Sequence, residues 1–228
     1  MKATQLPLDL GHRPALAGED FLVAPCNAEA VAWLEAGRRW PGPALLLHGP
    51  AGAGKSHLAR LWSAREAATL TGPEALTPAA PPALMPPGGA VALDGAEGVA
   101  GDPVRERALF HLVNIVAQAG GRLLLVARTP APGWGVALAD LRSRLLAAPA
   151  VAIGPPDEPV LAAMLVKLLA DRQLRPPAEV VAYLVPRMER SFAAVQRLVH
   201  DLDRAALAAH RPITLPLARA VLTGQGEP

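Results

Sequence analysis

Short apolar runs alternate with amphipathic segments along the first two thirds of the chain. Four of these runs, each bounded by turn residues, predict buried strands at 44–48, 89–94, 122–127 and 150–153. Apolar periodicity and capping residues predict helices between or beside them at 27–37, 55–66, 103–119 and 136–147. Buried strands that alternate with helices are typical of a parallel sheet covered on both faces, so the pattern predicts an α/β core.

The pattern becomes purely helical after Gly154. Periodicity predicts four more helices at 158–172, 177–187, 191–209 and 215–222. Six prolines in residues 69–89 favour an irregular loop, within which only 68–71 could form a strand. We therefore predict three parts, which are a flexible arm at 1–20, an α/β core at 21–155 and a small all-α domain at 156–228.

Composition narrows the class of protein only slightly. The chain has 228 residues, of which 51% are hydrophobic, and this excludes a wholly disordered protein. Its net charge of +2 is too small to indicate a nucleic-acid binder by itself. The longest uncharged stretch, 75–93, contains five prolines and cannot form a membrane-spanning helix. With no N-terminal apolar run and Cys26 as the only cysteine, we expect a cytoplasmic protein without disulfides or membrane contact.

The turn between the first predicted strand and its helix matches the phosphate-binding pattern G-x-x-x-x-G-K-[ST]. Glycines let successive backbone N–H groups point at phosphate oxygens, and the helix N-terminus favours the same anion. We expect the lysine to reach the β- and γ-phosphates and the serine hydroxyl to ligate Mg²⁺. The candidate nucleotide-binding residues here are Gly49, Pro50, Ala51, Gly52, Ala53, Gly54, Lys55, Ser56 and His57.

A carboxylate ends the second predicted strand. Asp94 follows an apolar run, where a charged group requires a cation or hydrogen-bond donors, so we expect it to support Mg²⁺ together with Ser56. Many P-loop ATPases carry a second acid immediately afterwards to orient the attacking water, but this chain has Gly95. Glu97 is near, but its spacing differs. The sequence therefore predicts a site that holds nucleotide and hydrolyses it poorly on its own.

Two arginines suit the stabilisation of phosphoryl transfer. Arg144, and as second choice Arg142, lies on the helix before the fourth strand, and we expect it to enter the nucleotide site of a neighbouring molecule as an arginine finger. Arg190 precedes the helix at 191–209, and we expect it to lean from the helical domain onto the phosphates of its own site. A solvated surface arginine is the alternative for each.

The order of these features resembles the AAA+ ATPases, and within them the DnaA clade. Residues 21–30, FLVAPCNAEA, are similar to the clade's F-V-x-G-x-x-N-x-x-A segment, which implies that Phe21, Val23 and Asn27 surround the adenine. Residues 141–145, LRSRL, resemble its arginine-finger box, and 201–205 and 213–216 resemble the end of its lid. The resemblance covers about 20–223 and implies an AAA+ core with a parallel sheet, followed by a helical lid.

The two ends of the chain narrow the resemblance to the Hda family, DnaA-related factors that inactivate the initiator after replication starts. The chain ends at Pro228, so we expect none of the initiator's C-terminal sequence-specific DNA-binding domain. Family members carry a motif for the sliding clamp, the β subunit of DNA polymerase III, and this chain fits it with Gln5, Leu6, Leu8 and Leu10. The resemblance implies the clamp and the initiator DnaA as partners, with ADP or ATP and Mg²⁺ as cofactors and ADP favoured. Assembly through the finger face also makes a homo-oligomer an expectation.

Two departures from the clade affect the predicted chemistry. Gly95 replaces an acid, and Arg128 stands where the clade's sensor acid is expected after the third strand. We therefore expect weak or no intrinsic ATPase activity and stimulation of hydrolysis in the site of a partner. Two alternatives stay open, a stand-alone ATPase such as a helicase loader and a non-hydrolysing clamp adaptor.

Overall fold

The computed structural model describes residues 22–86, 89–209 and 211–224. Five parallel strands form one sheet in the spatial order β2-β3-β4-β1-β5. The strands are β1 Ala44–His48, β2 Thr69–Thr71, β3 Ala90–Asp94, β4 Arg122–Ala127 and β5 Ala150–Ala152. The helices of the sheet domain are α1 Ala28–Ala36, α2 Lys55–Glu66, α3 Ala80–Ala83, α4 Pro103–Gln118 and α5 Ala139–Ala147.

The central strands are apolar because helices cover both faces of the sheet. Leu46, Leu93 and Leu125 face one layer that includes α4, while Leu47 and Leu124 face the layer that contains α2. All five side chains are at most 1% exposed. This burial on both sides explains the continuous apolar runs and confirms the predicted α/β core.

The proline-rich segment contains the short edge strand that the sequence allowed. Within the described residues, Thr69–Thr71 pairs with β3 alone, and a 3₁₀ turn, Pro73–Ala75, follows it. Leu76 is 2% exposed and anchors this segment against the core. The end of β2 and the turn therefore occupy a fixed place beside the carboxyl end of β3.

Four helices form a separate lid after β5, as predicted: α6 Glu158–Asp171, α7 Ala178–Leu184, α8 Phe192–Ala209 and α9 Leu215–Gly224. They share one apolar cluster, in which Leu165 of α6 and Leu198 of α8 are fully buried. A smaller cluster of Ala24, Val160 and Phe192 joins the lid to the start of the core. Among the described residues, no helix is long and apolar enough to cross a membrane.

Candidate nucleotide site

The P-loop connects β1 to α2 at the carboxyl edge of the sheet. At two of its glycines, neighbouring atoms leave too little room for a side chain. A Cβ at Gly49 would collide with the backbone oxygen of Ile153. Gly52 has φ +73°, and a Cβ there would lie 2.9 Å from the Cβ of Ala193 in the lid. Only glycine fits such crowded or left-handed positions without strain. The loop therefore runs between Ile153, which follows β5, and the lid, with glycine at both of these close approaches.

Lys55 begins α2 and points back into the loop. Its side chain is buried, and Nζ donates to the carbonyl oxygens of Gly49 at 2.7 Å and Pro50 at 2.8 Å. Burial lowers the pKa of Lys55 below its ordinary value, whereas the negative charges of Glu97 and Asp94 oppose that shift. The ammonium group thus lies at the meeting point of the loop carbonyls and two carboxylates.

A cavity of about 670 Å³ opens beside the P-loop. Its lining includes Lys55, Ser56, Asp94, Glu97 and Arg128. This volume lies within the usual range of small-molecule sites, about 300–1,000 Å³. The hydroxyl of Ser56 and the carboxylate of Asp94 are oxygen donors of the kind that Mg²⁺ prefers. Few protein ligands are needed, because Mg²⁺ at such sites is completed by phosphates and water, so the residues fit the ion.

Glu97 lines this cavity, although it stands two residues after position 95, where the sequence analysis expects a second acid. It lies in a 3₁₀ turn, Ala96–Val99, that follows β3. Its Oε1 accepts a hydrogen bond from the amide of Arg128 at 3.0 Å. Its Oε2 is buried and has no hydrogen-bond partner among the described residues. The carboxylate therefore bridges from the end of β3 to the end of β4 and retains one unused oxygen.

A second pocket of about 110 Å³ lies between core and lid, and its lining includes Asn27, His57 and Phe192. Asn27 is 1% exposed, with Oδ1 accepting from the amide of Ala24 at 2.8 Å and Nδ2 donating to the carbonyl of Leu22 at 2.9 Å. Through these two hydrogen bonds, Asn27 holds the backbone of residues 22–24 in place beside the pocket.

Two more of the residues predicted to surround the adenine belong to this N-terminal segment. Val23 packs against the core, on the face of the sheet that α2 covers. Phe21 lies outside the described residues. The clamp-motif residues Gln5, Leu6, Leu8 and Leu10 also lie outside them.

The lid meets the P-loop through residues that sequence reasoning missed. Ser191 and Ala193 are the side chains that a Cβ at Gly52 would touch. Ser191 caps α8, since its Oγ accepts from the amide of Ala194 at 3.1 Å, and a serine before an apolar helix is the sequence signal for such a cap. Arg190 instead forms an exposed ion pair with Glu158, at 2.6 Å between Nη2 and Oε1. The phosphate-sensing role expected of Arg190 stays a prediction.

Arg144 lies on the exposed surface of α5, away from the buried core. Its guanidinium carbon is 5.2 Å from the centroid of the Phe110 ring, and this cation–π contact holds the side chain against α4. Arg142, two residues earlier, is also exposed. The start of α5 is fixed by Glu106 of α4, which accepts hydrogen bonds from the amides of Ala137 and Leu138. Arg142 and Arg144 are therefore exposed on a helix whose start is held by hydrogen bonds to Glu106.

Comparison with known proteins gives a family for the lid and relatives for the fold. Residues 159–222 match the family model described as "Hda, lid domain". Domain III of the replication initiation protein DnaA from Thermotoga maritima superposes with a TM-score of 0.78 at 17% identity, covering 92% of this chain and 96% of that one. AMPPCP-bound DnaA from Aquifex aeolicus gives 0.65 at 17% identity, covering 80% of this chain and 63% of that chain. The Holliday junction branch migration motor RuvB from Thermotoga maritima gives 0.67 at 16% identity, covering 87% and 67%.

The sheet, the P-loop and the lid together define the fold. The parallel sheet, the P-loop between β1 and α2 and the helical lid form the AAA+ fold that the DnaA and RuvB structures share. The family match of the lid and the DnaA domain III fold narrow this further. The lid thus matches the Hda family over residues 159–222, and the described chain has the fold of DnaA domain III, in agreement with the resemblance seen in the sequence.

Proposed function

We propose that the protein regulates the initiation of chromosome replication by inactivating the initiator DnaA. In this function it binds adenine nucleotide, docks on the DNA-loaded sliding clamp and stimulates ATP hydrolysis by DnaA. The observation that carries the proposal is an Hda-type lid above a complete P-loop site, combined with an exposed arginine on α5. ADP is the favoured resident nucleotide.

The nucleotide part of the proposal is supported by the cavity and its charges. Lys55 supplies a cation, the loop supplies backbone amides, and Ser56 and Asp94 supply oxygen ligands for Mg²⁺. The pocket between core and lid, beside Asn27 and Phe192, lies next to the P-loop and has the apolar lining that an adenine ring would need. Two DnaA structures of the same fold carry AMPPCP, an ATP analogue.

The action on a partner is supported by the orientation of α5. The guanidinium of Arg144 is exposed and, among the residues that the structure describes, contacts Phe110 rather than a carboxylate, so its charge is available to an incoming phosphate. An arginine of this kind lowers the barrier by neutralising negative charge in the phosphoryl-transfer transition state. Residues 5–10 supply the proposed contact with the clamp through three leucines and one glutamine.

The test is the rate at which DnaA converts bound ATP to ADP in the presence of the DNA-loaded clamp. Addition of the protein loaded with ADP should accelerate the conversion, and Arg144→Ala should remove most of the acceleration. Arginine fingers contribute about 10³–10⁵ to the rate in well-studied cases. Arg175→Ala, at an exposed position between α6 and α7, is the matched control and should retain full stimulation. Equal stimulation by wild type and Arg144→Ala would contradict the proposal.

A separate variant tests the clamp arm. Leu6→Ala combined with Leu8→Ala should abolish stimulation at limiting protein, because apolar anchors carry most of the energy of such contacts. The double variant should still bind ADP like wild type, since these residues lie outside the P-loop. Undiminished stimulation would assign the clamp contact to another surface.

A further inference from the structure

Two exposed arginines of the lid share one aromatic ring, and the proposed function does not use them. The guanidinium carbon of Arg187 lies 4.3 Å from the centroid of the Tyr183 ring, and that of Arg219 lies 5.3 Å from the same centroid. Within the part of the chain that the structure describes, neither side chain forms an ion pair with a carboxylate. Arg187 and Arg219, here called the arginine pair, therefore place two positive charges at one point of the lid surface.

Other exposed cations of the lid face carboxylates. Salt bridges join Lys167 to Asp171, Arg172 to Asp203, Arg190 to Glu158 and Arg197 to Glu189. The one carboxylate within α7, Glu179, forms no ion pair with either arginine among the described residues, and α9 contains no carboxylate. Like charges that lie together without a counter-ion repel each other, so an anion from outside the lid would stabilise the arginine pair.

Tyr183 gives the arginine pair a fixed base. Its side chain packs against the apolar cluster of the lid, and the helices that carry Tyr183 and Arg219, α7 and α9, pack against each other. Arg187 follows α7, and its Nη1 donates to the carbonyl oxygen of Tyr183 at 3.0 Å. A guanidinium in a cation–π contact uses its flat face, which leaves N–H groups at its edge to donate to another acceptor.

The phosphates of a DNA backbone have the charge and the density that this surface requires. Duplex DNA carries one negative charge per about 1.7 Å of helix axis, so more than one phosphate lies within reach of two guanidiniums that share a ring. Arginine pairs with phosphate oxygens in a planar, bidentate geometry. Docking on a DNA-loaded clamp, as in the proposed function, would bring duplex DNA next to the protein, which favours DNA over an acidic protein segment.

We propose that the arginine pair binds the phosphate backbone of duplex DNA and holds the lid against it. This contact goes beyond the proposed function and requires neither the nucleotide site nor the clamp arm. Backbone contacts carry no sequence information, so binding does not depend on the base sequence. The contact is weak from free solution, and a simultaneous contact with a clamp on the same DNA strengthens it by raising the effective concentration.

Fluorescence anisotropy of a labelled duplex of about 20 base pairs measures this contact for the whole chain between about 50 and 200 mM salt. The test variant combines Arg187→Gln with Arg219→Gln and keeps Tyr183. Each lost phosphate contact reduces the slope of log K against log salt by about 0.9, so the slope should fall by about 1.8. The ratio of wild-type to variant affinity should then grow about tenfold as salt decreases over this range. Arg219→Gln alone should give half of the change in slope.

The matched control combines Arg172→Gln with Arg197→Gln, which removes the same charge from two arginines that already face carboxylates. It should keep the wild-type slope. Because both double variants have the same net charge, a difference between them reports where the arginines lie and not the overall charge of the protein. Melting temperatures close to that of wild type show that each variant is folded.

Three results would overturn the proposal. One is the absence of wild-type binding to the duplex at about 50 mM salt, where backbone contacts are strongest. Another is an equal slope for wild type and the arginine-pair variant, or an equal loss in the control. The third is wild-type binding to poly-glutamate that is lost in the arginine-pair variant without any change in DNA binding, which would assign the surface to an acidic protein. ADP binding by the same proteins tests the nucleotide site separately and should be equal in all of them.

Discussion

Glu106 is the buried carboxylate on which the position of the arginine helix depends. It is 2% exposed and accepts hydrogen bonds from the amides of Gly101 at 3.1 Å, Ala137 at 3.1 Å and Leu138 at 2.8 Å. Its substitution Glu106→Gln keeps the shape but turns one acceptor oxygen into a donor. At least one buried amide then loses its partner and faces another donor.

The cost follows from these contacts. An unsatisfied buried donor costs about 1–3 kcal/mol, and a hydrogen bond to a charged acceptor contributes about 1.5–3 kcal/mol. We therefore expect Glu106→Gln to lower the free energy of unfolding by about 2–4 kcal/mol at pH 7. For a chain of this size that corresponds to a fall in melting temperature of roughly 5–15 °C.

The effect should depend on pH in a defined direction. Burial alone would raise the pKa of Glu106, but the hydrogen bonds from Leu138, Ala137 and Gly101 outweigh burial and hold the pKa below its ordinary value. The carboxylate therefore stabilises the fold above the unfolded-state pKa of about 4.3 and loses this contribution as pH falls toward the lower folded-state value. The gap between wild type and variant should shrink as pH decreases through this range.

Urea unfolding followed by circular dichroism measures the gap at pH 7 and at steps down to about pH 3, which lies below the unfolded-state pKa. Glu29→Gln, at an exposed position of α1, is the control and should differ little from wild type. A gap below about 0.5 kcal/mol at pH 7, the usual size of surface effects, would refute the reasoning. A gap that stays constant as pH falls would show that the charge of Glu106 is not its source.

Two other variants test the loop and the segment beside the second pocket. Gly52→Ala places a Cβ 2.9 Å from Ala193 and should weaken ADP binding at least about tenfold in calorimetry, since the loop or α8 must shift; wild-type affinity would contradict this. Asn27→Ala leaves the buried amide of Ala24 without its acceptor and should cost about 1–3 kcal/mol in urea unfolding. Asn114→Ala in α4 is its control, and equal losses in both would argue against a special role for Asn27.

Local patterns predicted most of the fold because each element carried its own signal. The runs at β1, β3 and β4 are continuous in leucine, valine and alanine since both faces of these strands are buried. The P-loop was equally readable, because backbone geometry requires glycine at fixed spacings, here positions 49, 52 and 54. The edge strand β2 was less evident, since it pairs on one side only and is followed by prolines.

Features that depend on tertiary contacts could not be predicted in the same way. The reach of Glu97 depends on the left-handed turn at Gly95 and on the pairing of β3 with β4, neither of which residue spacing reveals. Likewise, the choice between Arg190 and Ala193 at the P-loop depends on how α8 meets the core. A difference of two residues decided which acid lines the cavity, and a difference of three decided which lid residue meets the P-loop.

Titration calorimetry with ADP and Mg²⁺ tests most directly whether this site holds a nucleotide. The account predicts saturable binding of one ADP per chain, and it predicts that Lys55→Ala abolishes the heat of binding, because that variant removes the ammonium group that lies at the loop carbonyls. No heat from wild type with either ADP or ATP would contradict the account and leave a clamp adaptor without nucleotide as the better description.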